Sequence, residues 1–230
     1  MKILIIDGSP AAAQDALAKR GGYRHGANYV ASLKSVMPGG APEPEFFILA
    51  AADGETLPQG MTLADFDGIA WTGSPLSAYD GSPEVNAQID LAREAYHTGV
   101  PCFGSCWGLQ IMCAALGGRV HANPKGYEVG IARAITLNDD GRAHKMFDGK
   151  PTLFDALATH YDEVAELPPN AVLLASNDMS RVQAIEIVDG EKVFWGVQYH
   201  PEYDLRQIAA ILRRRAEPSP LPVISSRITR

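Results

Sequence analysis

The sequence predicts an α/β fold: an open, mostly parallel central sheet, mixed at one side, with helices on both of its faces. Three observations lead there. Short apolar runs alternate with helix-patterned segments up to Gly118; a Gly-x-Cys-x-Gly turn closes one of those runs; and beyond Gly118 the rhythm changes to short strands. Strand–helix alternation is the pattern of parallel strands joined by crossover helices. Two of the later strands are linked by Asp189-Gly190-Glu191, a hairpin signal that brings antiparallel strands into the same sheet.

The elements follow in order. Lys2 to Asp7 is a continuous apolar run of the kind a buried strand shows, and Tyr29 to Met37 has helical spacing that stops before Pro38-Gly39-Gly40. Phe46 to Ala50 and Gly68 to Thr72 are further apolar strands. Pro83 to Thr98 reads as a helix with Ser82 as N-cap, Pro83 at the first position and Gly99 beyond the end. Val100 to Gly104 is the next strand and Trp107 to Leu116 the next helix, closed by Gly117-Gly118. The later strands are expected at Val129 to Leu137, Thr152 to Ala156, Val172 to Ser176, Val182 to Val188 and Lys192 to Gln198. Leu205 to Arg215 has helical spacing, and its closing Arg213-Arg214-Arg215 suits the negative end of a helix dipole. This gives one domain over 1–215 without internal repeat. The tail over 216–230 contains Pro218, Pro220 and Pro222, which bar helix and sheet alike.

At 230 residues, 46% hydrophobic and 20% charged, the chain can bury a sizeable core and is not disordered throughout. A net charge of −7 argues against a nucleic-acid surface, because phosphate binding needs basic patches. Nowhere do eighteen apolar residues run together, and the apolar start is too short for a signal sequence, so no membrane span is expected. Cys102, Cys106 and Cys113 form an odd set that suits a reducing, cytoplasmic setting better than a disulfide framework. A metal site is the alternative for these cysteines, but the set has no Cys-x-x-Cys pair and no nearby histidine. Neither metal nor cofactor is expected. Of the six histidines, the five other than His200 are expected mostly on the solvated surface.

The chemistry lies in two segments. Gly104-x-Cys106-x-Gly108 closes a strand and opens a helix, which is the form of a nucleophile elbow with cysteine at its apex. A thiol at a helix N-terminus faces the positive end of the dipole, which favours the thiolate, the reactive form. About ninety residues on, Gln198-Tyr-His-Pro-Glu202 supplies His200 as proton carrier and Glu202 as the carboxylate that orients it. The structural readings are that Cys106 is core, His200 a strand-end histidine and Glu202 an acid at a helix start. The elbow glycines, the chain order and the His-Pro-Glu spacing favour a Cys-His-Glu triad.

Three blocks in order carry a family resemblance: Trp71-Thr-Gly-Ser-Pro75, Phe103-Gly-Ser-Cys-Trp-Gly-Leu-Gln110 and Gly196-Val-Gln-Tyr-His-Pro-Glu202. With them the chain resembles a class I glutamine amidotransferase domain of the triad type, from Met1 to about Arg215. The resemblance implies that Cys106 attacks the glutamine side-chain amide, that ammonia leaves, and that water releases glutamate from a γ-glutamyl thioester. It implies backbone N–H groups of Trp107 and Ser74, beside Gly73, as the oxyanion donors, and Gln110 as a contact to the bound glutamine. The family usually has Gly-Gly-Pro where this chain has Gly73-Ser74-Pro75, so Ser74 must take a glycine-like backbone or the loop must be shaped differently. Thr159-His160-Tyr161-Asp162-Glu163 resembles a loop flanking the glutamine pocket, with His160 a candidate substrate contact, and Tyr127-Glu-Val-Gly130 is a second candidate border.

The implied substrate is L-glutamine or another γ-glutamyl compound, and the implied partner a separate ammonia-accepting synthetase; oligomeric state is not legible. A γ-glutamyl peptidase or hydrolase would use the same triad. From other classes, Ile5-Ile-Asp-Gly-Ser-Pro10 also looks like the phosphate loop of a flavodoxin-like FMN-binding protein, and a non-catalytic binding domain would retain the fold alone.

Overall fold

The computed structural model describes residues 1–216; the tail expected beyond the last helix lies, from residue 217 on, outside the described residues. In chain order the strands are β1 (Lys2–Ile6), β2 (Glu45–Leu49), β3 (Gly68–Trp71), β4 (Cys102–Ser105), β5 (Arg119–Ala122), β6 (Glu128–Leu137), β7 (Leu153–His160), β8 (Asp162–Glu166), β9 (Ala171–Ser176), β10 (Ala184–Asp189) and β11 (Lys192–Val197). The helices are α1 (Ala11–Ala18), α2 (His25–Ser35), α3 (Pro83–His97), α4 (Trp107–Ala115), α5 (Asp139–Ala143) and α6 (Leu205–Ala216).

Among the described residues nine strands form one sheet, in the order β2-β1-β3-β4-β11-β10-β9-β6-β7. The half from β2 to β11 is parallel, and the half from β11 to β7 is antiparallel. The mixed α/β sheet is therefore as the sequence predicts. The hairpin sits at the change of direction: Asp189 pairs with Lys192 across Gly190-Glu191, and Gly190 takes φ +64°, which a two-residue turn of this kind requires.

Side-chain alternation along β1 explains the layers. Leu4 and Ile6 share one face and pack with Trp71 and Trp107 under α3 and α4. Ile5 faces the other way, onto Tyr29 of α2 and Ala70. All three are within 1% of full burial, and each such side chain contributes about 1.5–3 kcal/mol relative to exposure. Helix α4 is buried almost all round, with Gln110 its only polar side chain apart from Trp107. No helix among the described residues is long and apolar enough to cross a membrane.

Several elements differ from the sequence reading, each for a tertiary reason. Helix α2 begins at His25 rather than Tyr29 because distant acceptors cap it: Gly26 N–H donates to Asp7 Oδ2 at 2.8 Å and His25 N–H to Gln14 Oε1 at 3.1 Å. Strand β7 runs on to His160, well past Ala156, because it pairs with the start of β6. The Thr159–Glu163 segment is consequently not a loop but a corner between β7 and β8, and β8 pairs with β5 in a small second sheet. Helices α1 and α5 and strands β5 and β8 were not anticipated; α5 is capped by Asn138, which accepts from Gly141 N–H at 2.8 Å. Ser82 stands at the N-cap of α3, but its side chain makes no capping bond. The surface expectation for the histidines also fails: His25 and His160 are buried, His121 and His144 half-buried, and His97 alone of the five is exposed.

Candidate active site

Cys106 lies at the turn from β4 into α4 with φ 52° and ψ −100°, backbone that side chains rarely adopt. Its surroundings enforce that geometry. A Cβ on Gly104 would come 2.5 Å from the backbone carbon of Gly108, and one on Gly108 would come 2.7 Å from Trp71 O, so strand and helix meet at a distance only glycine permits. Cys106 N–H donates to Val197 O of β11 at 2.8 Å, which ties the turn to the strand leading to His200. The thiol is 5% exposed and lies 3.9 Å from Thr159 O.

His200 and Glu202 follow β11, next to β4 in the sheet, and this adjacency brings together residues ninety-four apart in the chain. His200 Nδ1 is 2.7 Å from Glu202 Oε1. His200 N–H donates to Leu157 O at 2.8 Å, and the Tyr203 ring stacks flat on the imidazole at 3.8 Å. The other ring nitrogen, Nε2, makes no hydrogen bond among the described residues, and His200 lines the same cavity as Cys106. Burial disfavours an imidazolium here, but the charges of Glu202 and Cys106 outweigh it and raise the His200 pKa to about 10. Burial pushes Cys102 up to about 12 and Cys113 higher still, so neither is a thiolate near neutrality.

Sequence reasoning missed what stands behind Glu202. Ser105, fully buried, donates from Oγ to Glu202 Oε1 at 3.0 Å, and Tyr29 OH in turn makes a short hydrogen bond with Ser105 Oγ. From α2, Asn28 Nδ2 donates to Glu202 O at 2.7 Å. The available signal was the hydroxyl beside Cys106 in the elbow itself, to which no role was given. Tyr203, next to Glu202 in the chain, was missed likewise.

Ser74 and Pro75 line the same cavity as Cys106, Thr159 and His200. Ser74 is not among the residues with positive φ, so of the two possibilities the loop is shaped without a glycine-like backbone there, and Ser74 Oγ accepts from Leu76 N–H at 3.2 Å. Gly73 is needed for another reason: a Cβ there would sit 2.7 Å from His200 Cε1. Trp107, as the first residue of α4, has an N–H without an intrahelical acceptor. Gln110 and His160 are not brought into the cavity lining. Gln110 Nε2 donates to Asp162 O at 2.9 Å and Gln198 Oε1 at 3.2 Å. The ring nitrogens of His160 are engaged by Glu128 Oε2 at 2.8 Å and Asp162 O at 2.9 Å, and Glu128 also accepts from Asn177 and Gln183. Through these bonds both residues hold the β7–β8 corner. Tyr127 is half exposed and stacks on Tyr161.

The loop after β1 has its amides engaged too. Gly8 N–H donates to Thr72 Oγ1, Ser9 N–H to Asp7 Oδ1 and Ala11 N–H to Asp53 Oδ2, at 3.1, 3.2 and 3.0 Å. A phosphate cradle would need those donors and would place an anion against Asp7, so the loop does not fit an FMN phosphate.

Over residues 49–216 the chain matches the family model for glutamine amidotransferase class-I. The chain belongs to that family. A γ-glutamyl-L-1-hydroxyisopropylamide hydrolase from Pseudomonas is 38% identical over 159 residues, covering 68% of this chain and 54% of that protein. γ-Glutamyl peptidase 3 from Arabidopsis thaliana is 30% identical over 165 residues, covering 70% of this chain and 64% of its own length. The chain thus spans less than two thirds of the curated relatives it matches. Among solved structures, a glutamine amidotransferase from Thermotoga maritima superposes with a TM-score of 0.70 at 20% identity, covering 93% of this chain and 81% of that one. That likeness is one of class-I amidotransferase fold.

The cavity at Cys106 is small. Its volume is about 30 Å³, against roughly 300–1,000 Å³ for typical ligand pockets. Leu17 of α1 and Ile211, Arg214 and Arg215 of α6 complete its wall.

Proposed function

We propose that this class-I amidotransferase is a cysteine-dependent hydrolase of γ-glutamyl amides, glutamine being the smallest. The observation that carries the reading is Cys106 on a strained elbow, lining one cavity with His200, whose Nδ1 lies 2.7 Å from Glu202. Cys106 Sγ adds to the γ-carbonyl, and the oxygen that becomes negative is met by the N–H groups of Trp107 and Ser74, beside Gly73. His200 passes its proton to the amide nitrogen as the C–N bond breaks, leaving a γ-glutamyl thioester and free ammonia or amine. Water, deprotonated by His200, then releases glutamate and restores the thiol. Glu202 holds the imidazole in one orientation and stabilises its charged form. Gln110 and His160 act on substrate indirectly, through the corner they hold beside Thr159.

Substrates bearing an organic group on the amide nitrogen are favoured over service to a separate ammonia-accepting synthetase, because the hydrolase and the peptidase just described are named for such compounds. The test is intact mass after incubation with a glutamine-analogue electrophile, alongside glutamate release from glutamine and from γ-glutamyl amides. An adduct on Cys106 with faster release from the substituted amides is the expected result. Equal or faster release from glutamine would return the choice to a glutaminase feeding a partner, and undiminished turnover in Cys106→Ala would exclude the thioester route.

A further inference from the structure

The last turn of α6 carries Arg213, Arg214 and Arg215, and two of these do more than complement a helix dipole. Arg214 and Arg215 line the Cys106 cavity together with His200, Ser74 and Thr159. Neither is paired with an acid among the described residues, where Arg24, Arg93, Arg119 and Arg142 each meet an aspartate or glutamate and Arg133, Arg181, Arg206 and Arg213 do not; what sets Arg214 and Arg215 apart is their place in the cavity wall. Neutral groups hold the two instead. Arg214 Nη1 lies 3.5 Å from Ala13 O, and the Arg215 guanidinium lies 4.5 Å over the Tyr127 ring.

In a chain with 27 acidic residues against 20 lysines and arginines, two guanidiniums without an acid partner among the described residues line the cavity of the candidate nucleophile. Burial, and then Arg215 as a like charge, lower the Arg214 pKa, so its charge is only partly compensated by its surroundings. An anion arriving from outside would supply that compensation. A guanidinium fork matches a carboxylate in plane and charge.

We propose that Arg214 and Arg215 form a carboxylate subsite at the mouth of the nucleophile's cavity, through which a γ-glutamyl substrate is admitted by one of its own carboxylates. The substrate class rests on the function proposed above; the anion subsite does not. A γ-glutamyl amino acid offers two such groups, the α-carboxylate of its glutamyl part and the carboxylate of the departing amine. Both guanidiniums stand in the wall of this small cavity, where either carboxylate can meet them on its way to Cys106.

The first test needs no turnover. Iodoacetate and iodoacetamide alkylate a thiolate by the same displacement of iodide, and differ in that the first is an anion. Their rates at Cys106, followed by peptide mass, give a ratio that can be compared between the native chain and Arg214→Gln/Arg215→Gln, which cancels the intrinsic difference between the reagents. The expected result is a fall of the iodoacetate-to-iodoacetamide ratio by about tenfold in the Gln variant, the size of a lost hydrogen bond to a charged group, and most of the ratio kept in Arg214→Lys/Arg215→Lys. The same ratio in native and Gln proteins would overturn the subsite.

The second test compares KM for glutamine, γ-glutamyl-alanine and γ-glutamyl-alaninamide in the native and Gln proteins. A KM raised for all three places the α-carboxylate in the subsite; a rise confined to γ-glutamyl-alanine places the carboxylate of the departing amine there. KM unchanged for all three refutes the proposal. Absence of turnover in the native chain with the alkylation ratio intact would instead count against the hydrolase reading alone.

Discussion

Ser105 and Gly73 act on the candidate triad without belonging to it. Ser105 Oγ is the second donor to Glu202 Oε1, after His200. Without it the carboxylate directs more of its charge to the imidazole, so Ser105→Ala is expected to lower kcat roughly tenfold, the size of a hydrogen bond to a charged group, and to shift the alkaline limb of the pH–rate profile upward. Tyr29→Phe, one step further back, should do less. A Cβ at position 73 would press on His200 Cε1. Gly73→Ala is therefore expected to cost activity by up to about a hundredfold, as misplacement of a reacting group by an ångström does, with its thermal midpoint little changed. An unfolded Gly73→Ala protein, or one of full activity, would refute this account of the loop.

Among the elements, β6 shows how the sheet accommodates irregularity. Its pairing with β7 slips between Ala132 and Ile135, and Ala134 in the slip has φ 54° while its N–H donates to Asp155 Oδ1 at 2.8 Å. Left-handed backbone costs a residue with a Cβ about 1–2 kcal/mol, so Ala134→Gly is expected to raise stability by about 1 kcal/mol despite the entropy glycine adds to the unfolded chain. Calorimetry would show it as a higher midpoint. The start of α2 depends on Asp7 in a comparable way. Burial raises the Asp7 pKa, opposed by bonds from Gly26, Ser9 and Thr72, and Asp7→Ala would leave the Gly26 amide without its acceptor. A loss of about 1–3 kcal/mol is expected, the desolvation penalty of a buried polar group left unpaired.

For the molecule as a whole, two buried histidines oppose each other in pH dependence. Burial first, then the charges of His200 and Arg214, lower the His25 pKa from 6.5 to about 3, so folding holds it neutral. The unfolded chain takes up that proton below pH 6.5, and stability falls from there toward pH 3 by up to about 1.4 kcal/mol per unit. The raised pKa of His200 has the opposite sign: its contribution is complete below pH 6.5 and is lost as pH rises toward about 10. Chemical unfolding across this range should show a flatter acid limb in His25→Gln. An acid limb of unchanged slope would mean that other groups control it.

What the sequence determined by itself is local. Apolar runs, glycine and proline punctuation and the Asp-Gly turn gave most of the strands, the helices α3, α4 and α6 and the hairpin, but not α1, α5, β5 or β8, because what they reveal depends on residues a few positions apart. The elbow was legible for the same reason, since Gly104 and Gly108 flank Cys106 directly. Tertiary structure decided what depends on acceptors and neighbours far along the chain. The start of α2 was set by Asp7 and Gln14, the length of β7 by its pairing with β6, and the inward turn of Gln110 and His160 by Asp162 and Glu128. The arginines of α6 read as a helix end in the sequence, and only the packing of α6 against α1 brought two of them to the cysteine. Sequence spacing fixes what a side chain can do; which groups meet it is fixed by the strand order of the sheet, and that places β11 beside β4.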